Sequence, residues 1–306
     1  MTQIAPDDDG QRIDRWLKKN FPDIGFGQMQ KLLRTGQVRI DGKRAKPDTR
    51  LVAGQEIRLP PQLSMPEVAQ KTSDAKDHAF MESLVIYEDD DLIVINKPSG
   101  LAVQGGSGIN RHVDGLLDNL TGENGVRPRL VHRLDRDTSG VLLLAKSAEA
   151  ARRLQVIFAG RDIEKIYNAI VMPAPRDDGG RIDAPLAKGM GGDDIEKVIL
   201  DEETGKAAIT DYHVLARADN GESALVEFHP LTGRTHQIRV HASLIGSPLW
   251  GDVKYGAHSG NHFYLHARQL RLEHPKTGKA MVVEAPLPAD FTARCARLGI
   301  SLPQGH

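Results

Sequence analysis

The densest group of reactive side chains in the 306-residue chain is His132-Arg133-Leu134-Asp135-Arg136-Asp137. Thr138-Ser139-Gly140 and the apolar run 141–145 follow it directly. Two arginines, two carboxylates and a histidine so close together suit a strand-end loop facing a polyanion or a polar substrate. Guanidinium groups on either side keep a carboxylate ionised, because a nearby positive charge lowers its pKa. Asp135 or Asp137 is then fitted to act as a nucleophile or electrostatic stabiliser, and ill fitted to act as a general acid. The same residues could equally form a structural arginine–aspartate network that ties a loop together. Further along, Arg234 precedes Thr235, a good helix N-cap, and Ile238, His241 and Ile245 recur at helical spacing until Gly246 and Pro248. Arg234 should therefore project from a loop at the start of a rigid helix. Tyr167 sits among apolar neighbours in a strand-like run and reads most simply as a core tyrosine.

Metal chemistry finds little support. His262 and His266 fall in a strand reading, where four residues separate two rings by about 13 Å. His236 and His241 share no helical face, and no H-E-x-x-H motif occurs. No metal ligands are assigned. Gly105-Gly106-Ser107-Gly108 lacks both the lysine of a phosphate-binding loop and dinucleotide spacing, and reads as a plain loop.

The elements that must position these residues follow from periodicity. From about Ser83, strands are expected at 84–87 and 92–95 (a hairpin around Glu88-Asp89-Asp90-Asp91), 141–145, 166–171, 207–215, 224–229, 263–272 and 281–284. Helices are expected around Val113, Leu116, Leu117 and Leu120, and over 148–158. Successive strands without helices between them indicate an α+β fold with a largely antiparallel mixed sheet flanked by helices. The amino-terminal residues form a separate small α/β unit. It has a helix over 11–21 ended by Pro22, and a second carrying Met29, Leu32 and Leu33 and closed by Gly36. A hairpin turns at Asp41-Gly42, and a last strand covers 56–59. The expected organisation is 1–61, a polar aperiodic linker 62–82, and a body 83–306.

The charge total of −1, from 40 Lys+Arg against 41 Asp+Glu, conceals an asymmetry. Residues 1–60 carry twelve basic and eight acidic side chains, a net of +4, which leaves −5 for the remainder. Lys31, Arg34, Arg39, Lys43 and Arg44 gather around the second helix and hairpin, where they suit phosphate contact; a solvated face is the plainer alternative. The single Cys295 excludes a disulfide framework and a cysteine-based metal centre. No apolar run approaches membrane-span length, and the start, with Asp7-Asp8-Asp9, is unlike a signal peptide. A cytoplasmic protein without a membrane partner is expected.

His132-Arg133-Leu134-Asp135 with Thr138-Ser139-Gly140 resembles the signature of the pseudouridine synthases that modify large-subunit (23S) ribosomal RNA. The resemblance continues in order through Lys165-Ile166-Tyr167-Asn168-Ala169-Ile170-Val171, the segment from Gly233-Arg234-Thr235-His236 to His241, and Tyr264-Leu265-His266-Ala267. The amino-terminal unit resembles an S4 RNA-binding domain. Asn96-Lys97-Pro98-Ser99-Gly100-Leu101 is most similar to the C-type branch, with the D-type as near neighbour. The resemblance implies the pseudouridine synthase fold, a monomer, and large-subunit ribosomal RNA as partner. The implied isomerisation breaks the C1′–N1 bond of a flipped-out uridine, turns the uracil and rejoins it through C5. No atom is gained or lost, so no cofactor is implied.

The resemblance also assigns roles. Asp135 would break the glycosidic bond, by attack on the sugar, by attack on the base or by promoting elimination. Arg234 would pair with Asp135, and Tyr167 would pack against the uracil and help remove the C5 proton. Arg133 would fill the space the nucleotide vacates, His132 would orient the loop at the RNA surface, and Leu265 would floor the uracil pocket. A non-catalytic S4-type RNA-binding protein is the alternative, disfavoured because binding alone does not require Asp135, Tyr167 and Arg234 together.

Overall fold

Ile13, Trp16 and Leu17 fall on one face of a short helix, and Met29, Leu32 and Leu33 on one face of another. These faces bury against Val38, Ile40 and Ile57 and close a small core. The computed structural model describes residues 2–5, 8–21, 24–61, 63, 75–106, 109–122, 125–160, 162–190, 196–256 and 263–303. Pro22, most of the stretch 62–74, Ser107-Gly108 and His262 lie outside the described residues. The chain divides into two units, residues 1–80 with 118–128, and residues 81–117 with 129–306.

The first unit contains β1 (Thr2–Gln3), α1 (Ile13–Asn20), α2 (Phe26–Arg34), β2 (Arg39–Ile40), β3 (Lys43–Arg44) and β4 (Glu56–Arg58), its strands ordered β1-β4-β2-β3. Asp41 and Gly42, at φ 48° and 74°, form the two-residue turn between β2 and β3. Next comes α3 (Ala75–Ser83), helical where the sequence reads as aperiodic linker. Ala75, Lys76, Ala79, Met81 and Glu82 are good helix formers, but only Met81 is buried, so no apolar stripe exists for periodicity to reveal.

The second unit begins with the hairpin β5 (Val85–Glu88) and β6 (Leu92–Lys97), then α4 (Val113–Leu116), β7 (Arg129–Leu130), β8 (Ser139–Ala145) and α5 (Ala148–Gly160). It continues with β9 (Glu164–Val171), β10 (Gly179–Asp183), β11 (Leu186–Met190), β12 (Glu196–Leu200), β13 (Ile209–Arg217) and β14 (Ala224–Pro230). Last come α6 (Gln237–Leu244), β15 (Leu265–Glu273), β16 (Ala280–Glu284) and α7 (Ala289–Arg297). Ten strands form one sheet, ordered β10-β13-β14-β9-β15-β8-β6-β5, with β16 on β15 and β7 on β8. All its pairings are antiparallel except β15 with β8, so the fold is the α+β mixed sheet the sequence indicates. Alternate residues of β9 and β14 face opposite ways: Ala169, Val226 and Phe228 pack with Ile238 and Ala242 of α6, while Ile170 and Leu225 pack with Phe291 and Cys295 of α7.

The two-residue strands β1 and β7, the strands β10, β11 and β12, and α7 escape the sequence reading. β10 opens on two glycines, β11 and β12 form a separate ribbon with half its side chains in solvent, and α7 buries only Phe291 and Cys295.

The parallel contact of β8 with β15 sets the position of the reactive loop. Gly140 has φ 108°, and a Cβ there would collide with the Ala267 backbone oxygen. Only glycine lets the two backbones touch. Beside it, Ser139 Oγ is 2.8 Å from His266 Nδ1. The Thr138-Ser139-Gly140 motif is thus a buried anchor at the carboxyl end of the loop that carries Asp135.

Candidate active site

The loop between β7 and β8 is held from beneath by side chains of β6 and the turn after it. Lys97 is wholly buried, and its ammonium donates to the carbonyls of Pro98 (2.8 Å), Leu101 (2.8 Å) and Arg136 (2.9 Å). Burial pushes its pKa down to about 7, while the charges of Asp137 and Asp135 resist the fall. Ser99 Oγ donates to the Asp137 carbonyl at 2.8 Å. At the loop's start, His132 Nε2 accepts the Leu143 amide at 2.8 Å and its ring stacks on Phe158 at 4.4 Å. β7 pairs with β8 only up to Leu130↔Leu144, and the imidazole takes the next amide in line. His132 thus engages β8 through Nε2 while its ring also lines the cleft around Asp135.

The two carboxylates now separate. Asp137 forms a two-pronged ion pair with Arg136, at 2.8 and 3.1 Å, which is the structural network the sequence left open. Asp135 makes no such pair and lines a cleft of about 570 Å³ together with Arg133, Lys165, Tyr167, Arg234, His236 and Leu265. Its side chain is 24% exposed, accessible yet flanked by apolar groups. Tyr167 and Leu265 come from the adjacent strands β9 and β15, where Leu265 pairs with Ala169. Burial, then the charge of Asp135, raises the Tyr167 pKa. Tyr167 thus keeps its proton at neutral pH.

The segment before α6 departs from expectation in two ways. Thr235 does not cap the helix. The N-cap is His236 in the left-handed conformation (φ 54°) without a side-chain cap bond, and Gln237 reaches back instead, its Oε1 accepting the Arg234 amide (2.9 Å) and the Thr232 hydroxyl (2.7 Å). Arg234 shares the cleft with Asp135 but does not pair with it: its Nε donates to the Ala207 carbonyl at 3.1 Å. The group that faces the carboxylate is His236, with Nε2 3.8 Å from Asp135 Oδ2. Arg133 stands exposed on the rim, and none of the hydrogen bonds or ion pairs among the described residues engages it. Lys31, Arg34, Arg39, Lys43 and Arg44 all lie exposed in the first unit.

Lys97, His236 and Lys165 are the residues sequence reasoning passed over. A lysine closing an apolar strand and followed by proline was the one available sign for Lys97. Elsewhere, Asp89, Asp91 and His274 lie close enough to suggest a metal site. However, His274 Nδ1 accepts the amides of Lys276 and Thr277 (3.2 Å each), so Nε2 carries the proton it gives to Asp89 at 3.0 Å. No ring lone pair is left for a cation.

Burial holds two rings neutral, His266 at about 4 and His132 at about 3. Histidines of the unfolded chain protonate near pH 6.5. As pH falls from there toward 4, the unfolded state binds protons the native state refuses, so stability drops by about 1.4 kcal/mol per pH unit for each ring. Urea unfolding followed from neutral to acid pH should show this loss; a flat profile would contradict it.

The family model described as RNA pseudouridylate synthase matches residues 91–244, which span Asp135, Tyr167, Arg234 and His236. The chain belongs to the RNA pseudouridylate synthase family. A relative from Vibrio vulnificus strain CMCP6, named ribosomal large subunit pseudouridine synthase C, is 37% identical over 304 residues, covering 94% of this chain and 92% of its own. The protein of the same name from Escherichia coli strain K12 is 37% identical over 305 residues, covering 93% and 92%. Among solved structures, Human RNA Pseudouridylate Synthase Domain Containing 4 is 28% identical with a TM-score of 0.64, over 75% of this chain and 99% of that one. A pseudouridylate synthase returns every atom of its substrate, so its site must hold a detached uracil and keep water from trapping the sugar. The apolar lining by Leu134, Phe158, Ile238 and Leu265 suits that demand.

Proposed function

We propose that this isomerase converts uridines of large-subunit ribosomal RNA to pseudouridine, with Asp135 as the carboxylate that acts on the glycosidic bond. The observation that carries this reading is the convergence of Asp135, Tyr167, Leu265 and Arg234, from four separate segments, on one cleft. A uridine stacked in RNA cannot reach Asp135, so it enters flipped out, at a cost of a few kcal/mol. Arg133 on the rim is placed to stack in the vacated space. Lys165 and Arg234 offer positive charge to the flanking phosphates. Tyr167 packs against the uracil and Leu265 floors the pocket during its turn, and the shared likeness to C-named relatives favours their class of substrate. Reaction on ribosomal RNA would place the protein in the cytoplasm, acting as a monomer.

The test is reverse-transcription mapping of carbodiimide-treated ribosomal RNA from cells lacking the gene and complemented with wild type or Asp135→Asn. Wild type should restore the stops and the variant should not. Stops that persist in the deletion strain would overturn the substrate assignment.

The first unit is read as an S4-like RNA anchor. Arg44, Arg39 and Arg58 stand side by side across β3, β2 and β4, and all three are exposed. The carbonyls of Gly36 and Gly42 hold the Arg39 guanidinium in place. Like charges directly opposite on a sheet repel, and the row suits a polyanion that relieves this. Replacing all three with alanine should weaken RNA binding and lower the slope of log K against log salt by about 2–3, with kcat at saturating RNA unchanged. An unaltered slope would assign the electrostatic contact to the cleft instead.

A further inference from the structure

A directed chain of hydrogen bonds enters the cleft from the β11–β12 ribbon. The Val198 amide of β12 donates to Tyr255 Oη at 3.0 Å. An amide can only donate, which leaves the hydroxyl proton free to point at His236 Nδ1, 2.7 Å away. Burial raises the Tyr255 pKa, which keeps that proton in place. Burial likewise holds the His236 pKa below its ordinary value, against the pull of Asp135 and with Arg239 and Lys254 adding to the fall. A neutral imidazole that accepts at Nδ1 carries its own proton on Nε2, and Nε2 is the atom that faces Asp135.

The helix does not account for this histidine. His236 lies in the left-handed region, at φ 54°, and makes no side-chain cap bond. Glycine or asparagine adopts that backbone with less strain. Tyr255 is itself fixed: Arg239 lies over its ring at 4.9 Å and pairs with Asp252 at 2.7 and 2.8 Å, and Ser243 Oγ donates to the Tyr255 carbonyl at 2.8 Å.

We propose that His236 is a positioning residue for Asp135, its tautomer set by Tyr255 and Val198 so that an N–H, and not a lone pair, meets the carboxylate. The inference rests on the reading of Asp135 as the reacting group. A lone pair at Nε2 would repel the carboxylate and turn it from the cleft; the N–H holds one oxygen and leaves the other for the nucleotide. The 3.8 Å separation is longer than a hydrogen bond, so this positioning requires it to shorten when a nucleotide fills the cleft, as catalytic contacts do on substrate binding.

The test compares H236N, H236Q, Y255F and the H236N/Y255F pair in steady-state turnover of a uridine-containing ribosomal RNA fragment, with D135N alongside. Asparagine tolerates the left-handed backbone and can accept the Tyr255 hydroxyl, but reaches no further. Glutamine places an amide N–H near the position of Nε2. H236N should lower kcat about 10–100-fold, the range for losing an orienting hydrogen-bond partner, with KM within about twofold. H236Q should recover most of the loss. Y255F should lower kcat about 3–10-fold alone and add nothing to H236N, because it acts through the same ring. Wild-type kcat in H236N, a loss confined to KM, no recovery in H236Q, or additive losses in the pair would each overturn the proposal. If H236N does not fold, wild-type kcat in Y255F overturns it. Full turnover in D135N would instead remove the reading of Asp135 itself, whatever the His236 variants do.

Discussion

Asp135→Asn is expected to slow pseudouridine formation at least about 1,000-fold in single turnover, with RNA affinity unchanged or slightly tighter. The asparagine side chain has nearly the same volume and fits the same loop, because Lys97 and Ser99 hold the loop by its backbone and not through this side chain. What disappears is the negative charge, and with it every route by which the carboxylate could attack the sugar, attack the base or drive elimination. The sign of the affinity change is the discriminating part. Asp135 is an anion in a cleft meant for a polyanion, so its loss removes repulsion from the bound phosphates. A binding residue would show the reverse, weaker association with an unchanged rate once bound. The readout is tritium released from C5 of a labelled uridine, which appears only when C5 has exchanged hydrogen for the sugar carbon. Release at the wild-type rate would leave Asp135 without a catalytic role.

The reactive loop could be read from the sequence because its chemistry is contiguous: six residues carry the charge, and the apolar strand β8 follows at once. Separating Asp135 from Asp137 required coordinates, since both lie beside an arginine in the chain and only one is bound by it in space. The segment before α6 misled for a physical reason. Thr235 is a standard capping residue, but Gln237 reaches back to the amide of Arg234 and takes over that work. The chain then turns through a left-handed His236, and Arg234 points at Ala207 rather than Asp135. Local propensity describes each residue in isolation, whereas this turn is decided by a side chain two positions further on. The β11–β12 ribbon and α7 bury too few side chains to leave a period. With the ribbon missed, the Val198–Tyr255–His236 chain could not be anticipated.

Lys97→Met should destabilise the second unit by about 3–5 kcal/mol and slow catalysis by more than the stability loss explains. Methionine keeps an unbranched stem of similar length but brings no donor. The carbonyls of Pro98, Leu101 and Arg136 would then face a thioether, the first and last part-buried and that of Leu101 buried. Each orphaned acceptor costs about 1–3 kcal/mol, and relief of a desolvated ammonium returns part of the total. The Arg136 carbonyl belongs to the residue next to Asp135, so the loop loosens beside the point where the Asp135 side chain is attached. Linkage supplies an independent check. Burial puts the native Lys97 pKa at about 7, whereas an unfolded lysine holds its proton to about 10.4. Between those values the unfolded state binds the extra proton, and wild-type stability gains about 1.4 kcal/mol per pH unit as pH rises. Rate should move the other way, since a neutral amine has two protons for three carbonyls and the loop is held less firmly. Urea unfolding and single-turnover rates measured across that range should therefore diverge in the wild type. In Lys97→Met the stability slope should be shallower by that amount and the alkaline fall in rate should vanish. Parallel pH profiles for the two proteins would show that Lys97 only fills space.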